Sequence, residues 1–167
     1  MHYLNCFFTY SILGYFLETI TAKILNNNFN SGILIGIWTP IYGIGSIIIL
    51  LISNYIFKKI NNKYLRVLLL FISVVIVLTL LEGLGGFLIE KLFKITYWNY
   101  SKHKYNIGKF MSLSVSLIWG IGSLIFVYFI HPRLNKYIKV IPNWGTFVLT
   151  IVFIIDIFLT TYIKLIK

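Results

Sequence analysis

Only four acidic residues occur in the 167-residue chain, Glu18, Glu82, Glu90 and Asp156, and each lies within or at the end of an apolar run. An ionised side chain at the middle of a bilayer costs about 2.5–3.5 kcal/mol on insertion scales, so such groups face a cavity, a partner or a substrate route. Glu18 and Glu90 are followed by basic residues, Lys23 and Lys91 or Lys94. Two readings stay open for these acids: ion pairs at the membrane interface, or members of a polar site. Glu82 and Asp156 have no cation within a helical turn. Each suits a neutral acid hydrogen-bonded between helices, with proton coupling as the functional alternative.

The segment from Lys91 to Lys109 contains Tyr97-Trp98-Asn99-Tyr100-Ser101 and then Lys102-His103-Lys104-Tyr105-Asn106. Aromatics beside lysines read as an interfacial belt. They read equally as a lid over a site shared by Glu18, Glu90, Asn30 and Asn106, where lysines and rings hold a lipid headgroup or an anionic solute. Small residues recur every four positions, at Gly32, Gly36 and Pro40 and again at Gly108, Ser112, Ser116 and Gly120. That spacing puts them on one helix face, where they let membrane helices approach closely. The alternative for Pro40 is that it frees a carbonyl and opens its helix near a site.

Several chemistries lack their signatures. There is no G-x-x-x-x-G-K-[ST] phosphate loop, no nucleophile elbow and no H-E-x-x-H pattern, and His2, His103 and His131 are dispersed. The single Cys6 has no partner for an internal disulfide or a cysteine-built metal site. No cofactor, metal or catalytic residue is therefore expected.

The elements that must position these residues follow from composition. With 59% hydrophobic and 11% charged residues and a mean hydropathy of +0.88, the chain falls far outside the usage of soluble domains. Apolar runs at about residues 4–25, 33–57, 65–90, 110–131 and 146–166 are each long enough for one membrane crossing at about 20 residues. The reading is an all-α integral membrane protein of five helices, forming a single transmembrane domain over 1–167. The third run ends in Gly83-Leu84-Gly85-Gly86, where a bend or an exit from the hydrocarbon is expected. The first run has no basic residue before it and no small-residue cleavage site, so it reads as a retained span.

The net charge of +11 is spread singly or in short groups beside apolar runs, which favours anionic lipid headgroups over nucleic acid as the partner. Heavy use of Ile, Asn, Lys, Tyr and Phe, as an AT-rich genome produces, points to a bacterial cytoplasmic membrane. Counting Lys and Arg gives seven on the N-terminal side and eight on the other, which decides no orientation. Leaving out the five lysines of the longest loop gives seven against three and puts the N-terminal side in the cytoplasm.

An internal repeat is also visible. Gly14-Tyr15-Phe16-Leu17-Glu18, Asn30-Ser31-Gly32 and Tyr42-Gly43-Ile44-Gly45-Ser46 recur in order as Gly86-Phe87-Leu88-Ile89-Glu90, Asn106-Ile107-Gly108 and Trp119-Gly120-Ile121-Gly122-Ser123. Two parallel helix-loop-helix units, about 4–57 and 65–131, and one extra helix, about 146–166, are expected. This alignment makes Glu18 and Glu90 counterparts.

Residues 30–45, N-S-G-I-L-I-G-I-W-T-P-I-Y-G-I-G, resemble the signature of the ABC transporter permease family also called CmpB or type IV. A second block is similar to it as well: Trp98-Asn99-Tyr100-Ser101, Asn106-Ile107-Gly108 and Ser116-Leu117-Ile118-Trp119-Gly120. Glu18, Glu82 and Glu90 stand where that family carries acids. Ser31, Ile37 and Asn99 depart from the family's Arg, Pro and Asp, so an ion pair between residues 31 and 99 in relatives would here be replaced on both sides. The resemblance implies a membrane-embedded transport component without its own ATPase, working with a separate ATPase or other membrane subunit. It places a substrate or translocation site at Glu18, Glu82, Glu90, Asn30, Gly32, Pro40, Tyr42, Gly43, Trp98, Tyr100, Ser101, Asn106, Gly108, Trp119 and Gly120. The alternatives are an intramembrane enzyme acting on a lipid or isoprenoid phosphate, with Glu18 or Glu90 as general base, and a structural membrane subunit.

Overall fold

A computed structural model describes residues 1–24 and 33–166. In chain order the elements are α1 (His2–Ile24), α2 (Pro40–Lys59), α3 (Lys63–Phe93), β1 (Asn106–Ile107), β2 (Met111–Ser112), α4 (Leu113–Ile125), a π-helical turn (Phe126–Ile130), α5 (His131–Ile138) and α6 (Asn143–Ile166). Apart from the two-residue strands, the all-α expectation holds. Two compact units divide the chain, Met1–Ile47 with Asn135–Lys167, and Ile48–Leu134.

Four described helices are long and apolar enough to cross a membrane: α2, α3, the continuous helix Leu113–Ile138, and α6. Five were expected. The 23-residue α1 matches the others in length, but Asn5, Thr9, Ser11, Glu18, Thr19, Thr21 and Lys23 make it more polar. In α6 polarity is distributed inside out. Its buried residues are Thr146, Asp156 and Thr160, while Phe147 and Phe158 are 63% and 70% exposed. Soluble helices bury their large apolar side chains. Helices in lipid need no apolar interior and use small and polar groups to hold one another.

Helix starts and ends differ from the apolar runs for local reasons. The second helix begins at Pro40 rather than near residue 33. Proline lacks an N–H and has a helical φ, so it suits a first turn whose N–H groups have no partner anyway. Pro40 therefore starts its helix rather than opening one, and because Gly36 precedes α2 while Gly108 and Ser112 lie in the β1–β2 segment, the small residues do not form the helix faces expected of them. Asn62 caps α3, its side-chain oxygen accepting the Tyr64 and Leu65 N–H groups at 2.9 and 3.1 Å, a device worth about 1 kcal/mol. Lys94, with φ of 57°, ends the helix in the left-handed conformation.

At Gly83–Gly86, where a bend or an exit from the hydrocarbon was expected, α3 continues as helix to Phe93. These glycines serve a close approach. A Cβ on Gly83 would collide with the Met111 side chain, and one on Gly86 with the Phe110 ring, so the hairpin lies directly on α3.

The fourth apolar run starts later and ends later than its hydropathy predicts. Residues 106–112 form the antiparallel β1–β2 hairpin, with Asn106 opposite Ser112 and Ile107 opposite Met111, turned at Gly108 with φ of 65°. After α4 the helix passes through the π turn and continues to Ile138. Pro132 explains the turn: it cannot donate to the carbonyl four residues back. Just before it, the His131 N–H reaches Phe126 O, five residues back. Arg133 and Lys136 thus sit on a helix rather than in a loop.

Each unit has its own packing. In the second, Leu70, Val74 and Leu78 of α3 meet Ile49 and Ile56 of α2 and Val127 of the π turn. In the first, Phe7 and Phe8 of α1 stack edgewise on Phe153 of α6, with Trp38 against both Phe8 and Phe153.

Candidate functional site

The four acids occupy four different settings. Glu82, on α3, is 6% exposed. Its Oε1 accepts the Tyr100 hydroxyl at 2.8 Å, and the Trp119 indole of α4 also lies on this carboxyl group. Its buried Oε2 has no hydrogen-bond partner of normal geometry. One turn away, Thr79 and Ser116 bond hydroxyl to hydroxyl at 2.6 Å, extending the polar layer between α3 and α4.

The segment leading into the hairpin closes over this layer. The Tyr100 N–H donates to Lys109 O at 2.8 Å, and the Trp98 indole donates to Phe110 O at 3.3 Å. His103 stacks on Tyr100 with ring centroids 5.0 Å apart, and its Nδ1 is 3.0 Å from Ser112 Oγ. Asn99 Oδ1 accepts the Ser101 N–H at 2.9 Å, forming a local turn.

Glu90, two turns further along α3, is half-exposed and paired with Lys109 in the one salt bridge among the described residues. Thr96 donates to the same carboxylate at 2.8 Å and accepts from Lys109 at 2.9 Å. A lysine partner was one of the two readings for Glu90; the lysine is Lys109 of the hairpin rather than Lys91 or Lys94. Asn106 does not join this group. It is exposed and donates to Gly108 O at 2.7 Å within its own turn.

In the other unit, Glu18 has the Tyr42 hydroxyl as its side-chain hydrogen-bond partner and makes no salt bridge with Lys23. A Cβ on Gly14 would overlap the Tyr42 ring, so this glycine lets Tyr42 lie across α1 below Glu18. Gly43 packs against Phe7 and Ser11. Asn30, Ser31 and Gly32 lie outside the described residues, as does any partnership of Ser31 with Asn99.

Asp156 was not among the expected site residues, yet it has the densest polar environment. Its carboxylate accepts the Ile35 N–H at 3.1 Å, the Gly36 N–H at 2.8 Å, the Trp38 indole at 2.6 Å and the Thr160 hydroxyl at 3.0 Å. Lys164 donates to Ile33 O at 2.7 Å. The C-terminal helix thereby holds the segment before α2. Gly36 permits this contact, since a Cβ there would meet Trp38 and Asp156. The signal in the sequence was the pairing of Asp156 with Thr160 one turn on, together with a tryptophan donor beside Pro40.

Four helices long and apolar enough to cross a membrane, with many of their large apolar side chains exposed, define a multi-pass helical membrane protein. The family model described as "Putative ABC-transporter type IV" matches residues 5–162, and the chain belongs to that family, as the two sequence blocks implied. No curated protein and no solved structure matches the chain.

Proposed function

We propose that this chain is the permease-type membrane subunit of a transport system whose ATPase resides on another polypeptide, and that its polar site centres on Glu82. The observation that carries this reading is the Glu82 carboxyl, buried in an apolar helix with Tyr100 on one oxygen, the Trp119 indole against the group, and no hydrogen bond of normal geometry at Oε2. A membrane helix keeps such a group where it meets a substrate, an ion or a moving partner. Tyr100 belongs to the segment packed over α3, so a change in that segment is felt directly at the acid. The family supports the transport class.

In this reading α1 is the fifth span, the chain consists of two helix pairs and the extra helix α6, and the protein lies in a bacterial cytoplasmic membrane. Lys91, Lys94, Lys102 and Lys104 meet anionic headgroups at the face that carries the hairpin. An enzyme using Glu90 as general base fits less well, because Lys109 and Thr96 already occupy that carboxylate.

The test is purification of the tagged chain in mild detergent, identification of any co-purifying ATPase, and reconstitution of the complex in liposomes. ATP hydrolysis that depends on this chain, and falls in Glu82→Gln at equal expression, is the expected result. A chain that transports alone, or a Glu82→Gln complex with wild-type hydrolysis and transport, would overturn it.

A further inference from the structure

We propose that Glu18 and Glu82 are matching proton-accepting groups, one built by each helix pair, and that Glu90 is not the counterpart of Glu18. The repeat reading given above underlies this proposal; ATP drive does not.

Contacts within each pair set the correspondence. Gly43 follows Tyr42 and packs on Phe7 and Ser11, which are four residues apart on α1. Gly120 follows Trp119 and packs on Phe71 and Val75, four residues apart on α3. Superposing those contacts places Phe7 on Phe71. Eleven residues beyond Phe7 is Glu18, and eleven beyond Phe71 is Glu82, whereas Glu90 lies nineteen beyond.

Three further observations follow the same register. Tyr42 is the side-chain partner of Glu18, and Trp119, in the equivalent position, lies on Glu82. Ser46 donates to Gly43 O and Ser123 to Gly120 O, both at 2.7 Å. Along the first helices, the buried positions Cys6, Tyr10 and Gly14 of α1 fall on the buried Leu70, Val74 and Leu78 of α3. Alignment by letters, G-Y-F-L-E on G-F-L-I-E, misses this because it shifts the helices by eight residues.

The ligand follows from what surrounds the acids. Glu82 faces the Tyr100 hydroxyl, with His103 stacked behind it, from the hairpin segment; α4 offers only Trp119 and Ser116. Glu18 faces Tyr42 from α2, with Lys23 on its own helix and unpaired with it. Neither acid has a salt bridge among the described residues, and Oε2 of Glu82, with no hydrogen bond of normal geometry, has room in its inventory for one proton. A carboxyl group carrying that proton balances the site without a second ion. Asp156 differs, because four donors already fill its oxygens.

Infrared spectroscopy of the purified chain in lipid reads this directly, since the carbonyl stretch of a carboxylic acid is separate from carboxylate bands. The wild type should show the acid band at neutral pH and lose it reversibly as pH rises. Glu18→Gln and Glu82→Gln should each remove about half of it, and Glu90→Gln none. Absence of the band in wild type, or its full persistence in either of the first two variants, would overturn the proposal. Should a Gln variant fail to fold, labelling of the wild type by a lipid-soluble carbodiimide decides, with adducts expected at Glu18 and Glu82 and none at Glu90; adducts at Glu90 instead would overturn it. Neither measurement needs an ATPase, so this proposal and the transport reading fail separately.

Discussion

Trp38 gives its indole N–H to Asp156 Oδ2 at 2.6 Å, fixing a ring just before α2 to the middle of α6. The same carboxylate holds two backbone N–H groups, so its loss leaves several donors unpaired at once. A hydrogen bond to a charged group contributes about 1.5–3 kcal/mol. Asp156→Ala is therefore expected to lower stability by about 2 kcal/mol or more, and Asp156→Asn by less, as read from thermal unfolding in detergent. An unchanged midpoint for Asp156→Ala would contradict this account.

Gly86→Ala places a methyl group against Phe110, and overpacking of this kind costs about 1–3 kcal/mol. The strain falls on the contact between α3 and the hairpin. Tryptic cleavage at Lys102 and Lys104 should become faster, roughly tenfold for each 1.4 kcal/mol if opening and closing are fast relative to cleavage. Equal cleavage rates would mean that the hairpin does not depend on this contact.

Tyr100 and Glu82 should be energetically coupled. A double-mutant cycle with Tyr100→Phe and Glu82→Gln is expected to give an interaction of about 0.5–1.5 kcal/mol. Additive effects would show that the hydrogen bond contributes nothing to stability.

Lys109 of the hairpin and Glu90 of α3 form a partly exposed ion pair, where solvent and salt screen the attraction. Glu90→Gln and Lys109→Met should leave the unfolding midpoint close to wild type, with any difference vanishing at high salt. ATPase stimulation by Glu90→Gln should also match wild type. Loss of stimulation equal to that of Glu82→Gln would return Glu90 to the functional site.

The helices were legible because membrane spans need long apolar runs, and the chain supplies them with little else. Their ends were not, since the Pro40 start of α2, the Asn62 cap of α3 and the left-handed Lys94 that ends it are single-residue devices that hydropathy averages away. Glu90 was readable as a lysine-paired acid, but Lys109 reaches it across a hairpin that two-residue strands do not announce. Asp156 was singled out as a buried acid but left out of the expected site, and none of its partners was foreseen. Most of its partners are backbone or side-chain N–H groups some 120 residues away, and no local periodicity encodes them. Glu82 and Tyr100 were both named from the sequence, but the bond between them, eighteen residues apart, required the fold of the intervening segment.

The π turn at Phe126–Ile130 acts as a phase shifter. It holds one residue more than an α-helical turn, so every side chain beyond it is rotated by about 100° relative to an uninterrupted helix. The azimuth of Arg133 and Lys136 around the axis is therefore written upstream, in an insertion beside Pro132. Deleting one residue there would keep the composition and hydropathy of the span nearly intact while turning its basic end by more than a quarter of a revolution.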